Sequence, residues 1–387
     1  MTPQQLAGLR ARLVAHLKGR GDVRTDRVAA AFERVPRHLF LPDLAPQEVY
    51  TDRSIAIKLQ NGVPISSSSQ PAIMAEMLEM LALAEGDGVL EIGAGSGYNA
   101  ALLAELAGPS GTVQTIDLDD DLVAAARANL DAAGYARVRT VCADGAQGDP
   151  SGAVFDAIIA TVGVERIPPA WIAQLRVGGR LVAPLTIRAM QKVIAFERTG
   201  AGLESRAIVD AGFMMLRGPS ASRATRTIAL GDPAIALRVL AEHASAVDAD
   251  VLARELLARG RDALPVRRLG LEDAWNGFSL WLALTDDASC RLTASGPRTG
   301  DGTVPNLLPG GESLYGTSAT FGIACERELV VLARAGGQAV FRSFGAPAGG
   351  LARLQNALAA WDDAGRPGNA QLRITISPNG ETLTSYQ

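Results

Sequence analysis

Val89-Leu90-Glu91-Ile92-Gly93-Ala94-Gly95-Ser96-Gly97-Tyr98 decides the fold: an apolar strand runs into three glycines at alternate positions and then into a helix. Glycine lets backbone approach a ligand where any Cβ would clash. The pattern is E-x-G-x-G-x-G, not the G-x-G-x-x-G that aims a helix N-terminus at a pyrophosphate. An acid, Glu91, ends the strand just ahead of the loop. It would repel a pyrophosphate but can hold an ammonium group. The loop therefore suits a zwitterionic nucleoside, S-adenosylmethionine, with S-adenosylhomocysteine as the product. Taken alone, the glycines are equally a tight strand–helix turn, and their neighbours decide between the two.

Outward from this loop, short apolar strands alternate with helices. Strands are predicted over 88–92, 112–118, 138–142, 155–161 and 180–184, and helices over 98–107, 121–133 and 168–175. That alternation is the sign of a parallel sheet covered on both faces. Residues 191–197 and 203–209, joined through Gly200-Ala201-Gly202, read as a closing hairpin. Ligands of such sheets bind outside the carboxyl ends of the strands. Asp117 ends the second strand, where a carboxylate accepts from both ribose hydroxyls, and Asp144 follows the third, placed to accept from the adenine amine. Gly93, Ala94, Gly95, Gly97, Tyr98, Leu118, Gly145 and Thr161 complete the expected cofactor contacts. The fourth strand, Asp156-Ala157-Ile158-Ile159-Ala160-Thr161, lacks the Asn/Asp-Pro-Pro-aromatic loop that seats a flipped base, which argues against N-methylation of nucleic acid.

Toward the N-terminus, helices are predicted over 2–19 and 24–35, an irregular segment from Val35 to Ser69, and a helix over 71–81. Ser66-Ser67-Ser68-Ser69-Gln70-Pro71 introduces that helix. Serine at N-cap with proline at N1 is ordinary capping. The other possibility is an anion seat, in which exposed amides and a hydroxyl receive a carboxylate. A carboxylate acceptor, with a pKa of about 3.9, is already ionised at neutral pH and needs no general base. Positioning and desolvation would carry the reaction, worth up to roughly 7–11 kcal/mol. A chain with only His16, His38 and His243 fits that chemistry.

Toward the C-terminus, Gly218-Pro219-Ser220-Ala221-Ser222 is a breaker cluster. It divides a first domain, 1–215 with a helical part over 1–70, from an α+β domain over 216–387. Helices are expected near 232–245, 248–259 and 350–363, with β-structure at 278–285, 319–325, 329–332, 338–344 and 371–376. Arg217, Arg223 and Arg226 near this boundary read as a solvated linker.

The chain has 387 residues, which suggests two or three domains, and 48 per cent hydrophobic against 20 per cent charged residues excludes disorder as its main state. A net charge of −4 argues against a nucleic-acid partner. Cys142, Cys290 and Cys325 stand far apart, so neither a metal site nor a disulfide framework is expected. With no long apolar run and no apolar segment at the N-terminus, the expectation is a soluble, cytoplasmic protein with no membrane association. Trp171, Trp275, Trp281 and Trp361 are expected in cores, and Cys142 in buried packing. Oligomeric state is not indicated.

Arg34-Val35-Pro36-Arg37-His38-Leu39-Phe40-Leu41-Pro42, Ser69-Gln70-Pro71, Val89–Tyr98, Ala143-Asp144-Gly145, Phe155–Thr161 and Gly178–Pro184 occur in the order of the protein-L-isoaspartate O-methyltransferase family, which the chain resembles over roughly 25–215. The resemblance implies a class I S-adenosylmethionine-dependent methyltransferase fold (Rossmann-like, α/β). It implies S-adenosylmethionine as donor, Ser69 as the hydroxyl that seats the acceptor carboxylate, and Ser66, Ser67, Ser68 and Gln70 beside the substrate. Two departures stand out. The family segment P-L-P-I-G-x-G-x-T-I-S is here Ser54–Ser69, and the chain continues well past the hairpin. Both are similar to the branch found beside ribosomally made peptides such as lanthipeptides and graspetides, as are Gly212–Gly218 and Trp281–Thr285. That branch implies a modified precursor peptide as partner, methylated on an aspartate whose ester closes to an aspartimide. The alternative is general isoaspartyl repair. A catalytically silent binding module is opposed by the intact Glu91, Asp117 and Asp144.

Overall fold

The computed structural model describes residues 1–60, 63–221, 224–258, 261–266, 269–308 and 316–386. Asn61 and Gly62 of the departing segment, and Ser222 and Arg223 at the expected boundary, lie outside the described residues. The chain forms two compact units: Met1–Leu185, Val193–Ala221 and Ile374–Thr384 make the first, and Thr186–Lys192, Ser222–Arg373 and Ser385–Gln387 the second. A single boundary at 215/216 is therefore too simple, because a C-terminal strand returns to the first unit.

Helix α1 (Pro3–Arg20) starts at a capping box in which Thr2 and Gln5 exchange side-chain bonds, and α2 (Asp26–Arg34) starts at a Thr25 cap. Leu13, Val14 and Leu17 join Val28, Ala31 and Phe32 in one core. The segment expected to be irregular is not. It forms a 3₁₀ turn over Arg37–Phe40, a short α3 (Pro46–Val49) and an antiparallel hairpin of β1 (Ile55–Gln60) and β2 (Val63–Ser68), with Ile55 opposite Ser68. A two-stranded ribbon ending in three serines carries little strand propensity, and such a ribbon depends on what it packs against.

Helix α4 (Pro71–Leu81) buries Met74, Ala75, Met77, Leu78 and Leu81. Its N-cap is Gln70, not a serine, and no side chain at that position caps it. Asp52 does so from a distance: Oδ1 accepts from the Ala72 N–H (2.9 Å) and Oδ2 from Gln70 Nε2 (3.0 Å).

The central sheet contains β3 (Gly88–Ile92), β4 (Thr112–Asp117), β5 (Arg139–Cys142), β6 (Phe155–Ala160), β7 (Leu175–Ile187), β8 (Met190–Thr199) and β9 (Gly202–Asp210), connected in part by α5 (Tyr98–Ala107), α6 (Asp120–Ala132) and α7 (Pro169–Ala173). Its order is β9-β8-β7-β6-β3-β4-β5, and the pairs from β7 to β5 are parallel. The chain winds from β3 outward to β5, then restarts on the other side at β6. That reversal is a topological switch point, where ligands of open sheets bind.

The second unit is built on an antiparallel sheet: β10 (Thr225–Leu230), β11 (Asp232–Leu240), β12 (Arg261–Pro265), β13 (Ser289–Ser295), β14 (Thr317–Cys325), β15 (Glu328–Ala335) and β16 (Gln338–Gly345), in the order β10-β11-β13-β14-β15-β16-β12. Helices α8 (Ala249–Leu257), α9 (Leu271–Asp273), α10 (Ser279–Thr285) and α11 (Gly350–Asp363) complete it. Two expectations fail here. Residues 232–245 begin as strand β11, with Ile235, Leu237 and Val239 buried at period two, and 278–285 is helical. Phe-Ser-Leu-Trp-Leu-Ala-Leu is apolar at every position but Ser279, so its period is silent, and its leucines and alanine favour the helix. Trp171, Trp275 and Trp361 are buried as expected, whereas Trp281 is half-buried against Tyr386. Cys142, expected to be buried, is exposed.

Finally, β17 (Leu372–Ile376) pairs antiparallel with β9, and β18 (Thr382–Tyr386) lies outside it. Among the described residues no helix is long and apolar enough to cross a membrane, and no cluster of metal ligands occurs.

The cap assignment is testable. Asp52→Ala should cost about 1–2 kcal/mol in denaturant unfolding, as lost caps do, while Ser69→Ala should leave stability within about 0.5 kcal/mol.

Candidate active site

The register brings the strand tips level, with Ile92 beside both Ile116 and Ala160 and Asp117 beside Cys142. The four following loops thus share one sheet edge. In the first, the Gly93 and Ala94 amides both donate to the Ile116 carbonyl (2.8 and 3.1 Å). Gly93 has φ +101°, and a Cβ there would lie 2.5 Å from Thr161 Oγ1. Thr161 donates that hydroxyl to the Gly93 carbonyl (2.8 Å), so it braces the loop instead of offering itself to a ligand. Gly95 has φ +51° and donates its N–H to Asp117 Oδ2 (3.0 Å). A Cβ on Gly95 would meet the Ser67 carbonyl at 3.6 Å, Ile57 Cδ1 at 3.7 Å and Ser66 Oγ at 3.9 Å. The β1–β2 hairpin therefore lies across the glycine loop. Gly97 is the left-handed N-cap of α5.

Asp117 accepts from Leu118 N–H at Oδ1 (2.8 Å) and stays half-buried, with lone pairs left for a ribose diol. Asp144 accepts from Ala146 N–H (3.0 Å) and Ser220 N–H (3.2 Å). Gly145 is needed for packing, since a Cβ would lie 2.6 Å from Ile92 Cγ2, and Ala94 is buried.

Besides Thr161, two more of the expected contacts are engaged within the protein. Glu91 is fully buried: Asn99 Nδ2 donates to Oε1 (2.7 Å) and Thr115 Oγ1 to Oε2 (2.6 Å). Burial pushes its pKa up to about 7 against those two bonds. Both of its oxygens are engaged inside the protein, where they tie the loop to α5 and β4. Tyr98 is also core, packed edge-on to Phe32 and tilted against Phe40.

Charges close the crevice from two sides. Lys58 on β1 donates to Asp119 Oδ2 (2.8 Å) and Asp121 Oδ1 (2.6 Å), while Arg217 grips the same Asp119 through both terminal nitrogens (3.2 and 2.7 Å). The Arg217 bond, with Lys58 beside it, holds the Asp119 carboxyl below its usual range. Arg217 belongs to a strap: Gly163 donates to the Met214 carbonyl and accepts from Leu216 N–H (both 2.7 Å), and Ser220 reaches Asp144 and Gln147. Read from sequence as a boundary, this segment is part of the site.

The serine run ends at the crevice. Ser66, Ser67 and Ser69 are half-buried and Ser68 is buried. Among the described residues no protein group bonds the Ser69 hydroxyl or the Gln70 N–H. Behind them Arg37 donates to the Ser69 carbonyl (3.0 Å) and Ser68 Oγ (3.4 Å).

The profile described as Protein-L-isoaspartate(D-aspartate) O-methyltransferase matches residues 9–218. The chain belongs to that family. It is 41% identical over 194 residues to a protein-L-isoaspartate O-methyltransferase of Methanopyrus kandleri, covering 50% of this chain and 84% of the relative. To that of Thermotoga maritima it is 35% identical over 172 residues, covering 44% of this chain and 54% of the relative. A solved structure of a protein-L-isoaspartate O-methyltransferase shares the fold over 98% of this chain and 99% of its own, with TM-score 0.55 and 23% identity. The fold is that of class I methyltransferases, and membership makes the chain an S-adenosylmethionine-dependent carboxyl O-methyltransferase.

The residues present fit that donor: backbone bared at Gly93 and Gly95, carboxylates at Asp117 and Asp144, and a hairpin overhead. When bound, the donor supplies a methyl group on a sulfonium. Asp52, Lys58, Asp119 and a role for Arg37 escaped the sequence reading. Only Lys58 left a trace, as one of three lysines in a chain whose other basic residues are arginine.

Asp117→Asn should weaken S-adenosylhomocysteine binding by about tenfold or more in calorimetry, as charged hydrogen bonds are lost, while Glu91→Gln stays within about twofold. Glu91 holds its proton more tightly folded than unfolded, so it stabilises less as pH rises from about 4.5 to about 7. Glu91→Gln lacks that slope, and its melting temperature should gain on the wild type's across this window. Lys58→Met should weaken donor binding a few-fold at low salt, with the difference fading by about 0.5 M salt.

Proposed function

We propose that the chain transfers a methyl group from S-adenosylmethionine to the side-chain carboxylate of an isoaspartyl residue in a peptide or protein, and that the second unit contributes to choosing the peptide. Family membership supports the reaction. The observation that carries the acceptor assignment is the open Ser69 hydroxyl and Gln70 N–H at the end of a hairpin that crosses the glycine loop. A carboxylate oxygen held there attacks the methyl carbon, the carbon–sulfur bond breaks, and sulfur keeps the electron pair. No proton moves, so no base is needed. His38, the histidine closest in sequence, bonds Tyr50 (2.9 Å), and burial lowers its pKa.

A second reading, an aspartate in a constrained precursor peptide, keeps one observation in its favour: the hairpin sequence departs from the family pattern and carries the Lys58 latch. Chain length no longer favours it. A solved chain named protein-L-isoaspartate O-methyltransferase matches across the full length, and the Thermotoga maritima relative also extends well beyond its matched part.

Tritiated methyl transfer to an isoaspartyl peptide, its aspartyl isomer and a cyclised aspartyl peptide separates the readings. Base-labile label is expected on the isoaspartyl peptide. Ser69→Ala should lower kcat/KM about tenfold or more, with S-adenosylhomocysteine affinity within about twofold. Label on the cyclised peptide alone transfers the proposal to the second reading, and label on none by a donor-binding enzyme rejects both.

A further inference from the structure

Arg37 is fully buried at the back of the serine seat. One terminal nitrogen donates to the Ser69 carbonyl and Ser68 Oγ, but Nε and Nη1 have no partner. No carboxylate among the described residues forms an ion pair with it. The acid placed to do so, Asp52, is engaged by Ala72 N–H and Gln70 Nε2. The guanidinium carbon instead sits 5.3 Å from the Tyr98 ring centroid. Burial lowers its pKa, yet arginine remains charged at neutral pH.

A buried cation is costly, and folded proteins normally pair it; the nearby Asp52 carboxylate offsets only part of the burial of Arg37 and makes no hydrogen bond to it. Here its charge is directed at one peptide group. In a trans peptide the carbonyl and the N–H point in opposite directions, so the Ser69 carbonyl that faces Arg37 turns the Gln70 N–H away from it. The cation polarises that amide and strengthens it as a donor. An anion beside Ser69 and Gln70 would complete the pairing one peptide removed. Direct ion pairing would tie up an attacking oxygen, and this arrangement leaves it free.

We propose that Arg37 is a positioning residue of the acceptor subsite: it anchors the Ser68–Ser69 backbone and supplies the buried positive charge that makes the seat select a carboxylate over a neutral group. The inference rests on the carboxylate-acceptor reading and adds the source of its selectivity.

The test compares an isoaspartyl peptide with its carboxamide analogue, measuring affinities in the presence of S-adenosylhomocysteine at about pH 7.5. Wild type should favour the carboxylate by about tenfold or more, the scale of a charge-assisted interaction. Arg37→Met should bring the ratio to within about twofold, raising KM for the acid more than it lowers kcat, with donor affinity retained. Arg37→Lys, which keeps the charge, should keep most of the ratio and decides the matter if Arg37→Met does not fold. Equal binding of both peptides by wild type overturns the proposal. So does an unchanged ratio in donor-binding Arg37→Met, or a lost ratio in donor-binding Arg37→Lys. Failure of wild type to methylate the isoaspartyl peptide rejects the underlying function instead. Continued methylation with an unchanged ratio in Arg37→Met rejects only the role of Arg37.

Discussion

One carboxylate, Asp117, holds the crevice in shape. Its two oxygens take the Gly95 and Leu118 amides, so the glycine loop and the turn after β4 are fixed to one carboxylate, the group proposed to receive the donor's ribose. Both bonds depend on parallel register, which sets the tips of β3, β4 and β5 at one level. Any residue but glycine at position 93 would collide with the Thr161 hydroxyl, and the loop could not turn down toward Asp117. Glu91, buried beneath, fastens the same loop to α5 and β4.

Around this frame the protein sorts its charges by depth. Lys58, Asp119, Asp121 and Arg217 form a partly exposed cluster that joins the hairpin, α6 and the 214–220 strap, where pairing is cheap to make and to break. Arg37 and Glu91 are buried, and each is handled differently. Glu91 is satisfied by two donors and raised toward neutrality, whereas Arg37 keeps its charge and two unpartnered nitrogens. The contrast suits two tasks: a carboxyl that only has to hold a loop in place, and a cation that has to act on a neighbouring anion.

The parallel half of the fold was legible because its signals are local. Strand β3, helix α5 and helix α4 match their predicted limits residue for residue, each bounded by glycine or proline. The hairpin over the site was not legible. Ile55–Gln60 alternates only weakly, and half of its partner strand is serine. Asp52 acts on α4 across a gap in sequence that no capping pattern spans, and the Lys58–Asp119 pair joins positions 61 residues apart. Glu91 was placed correctly on its strand, but its partners Asn99 and Thr115 were not legible, because sequence shows that an acid ends a strand and not which way its side chain turns. In the second unit, β11 and α10 exchanged types because short Ala/Leu-rich runs satisfy both periods.

The central claim is that the donor binds at the carboxyl ends of β3, β4 and β5, beneath the β1–β2 hairpin. Ultraviolet cross-linking of methyl-tritiated S-adenosylmethionine, followed by proteolysis and peptide sequencing, tests it directly. The account predicts saturable label, displaced by S-adenosylhomocysteine, on peptides carrying residues 54–70, 93–98, 117–119 or 143–145. Saturable label confined to the second unit would contradict it.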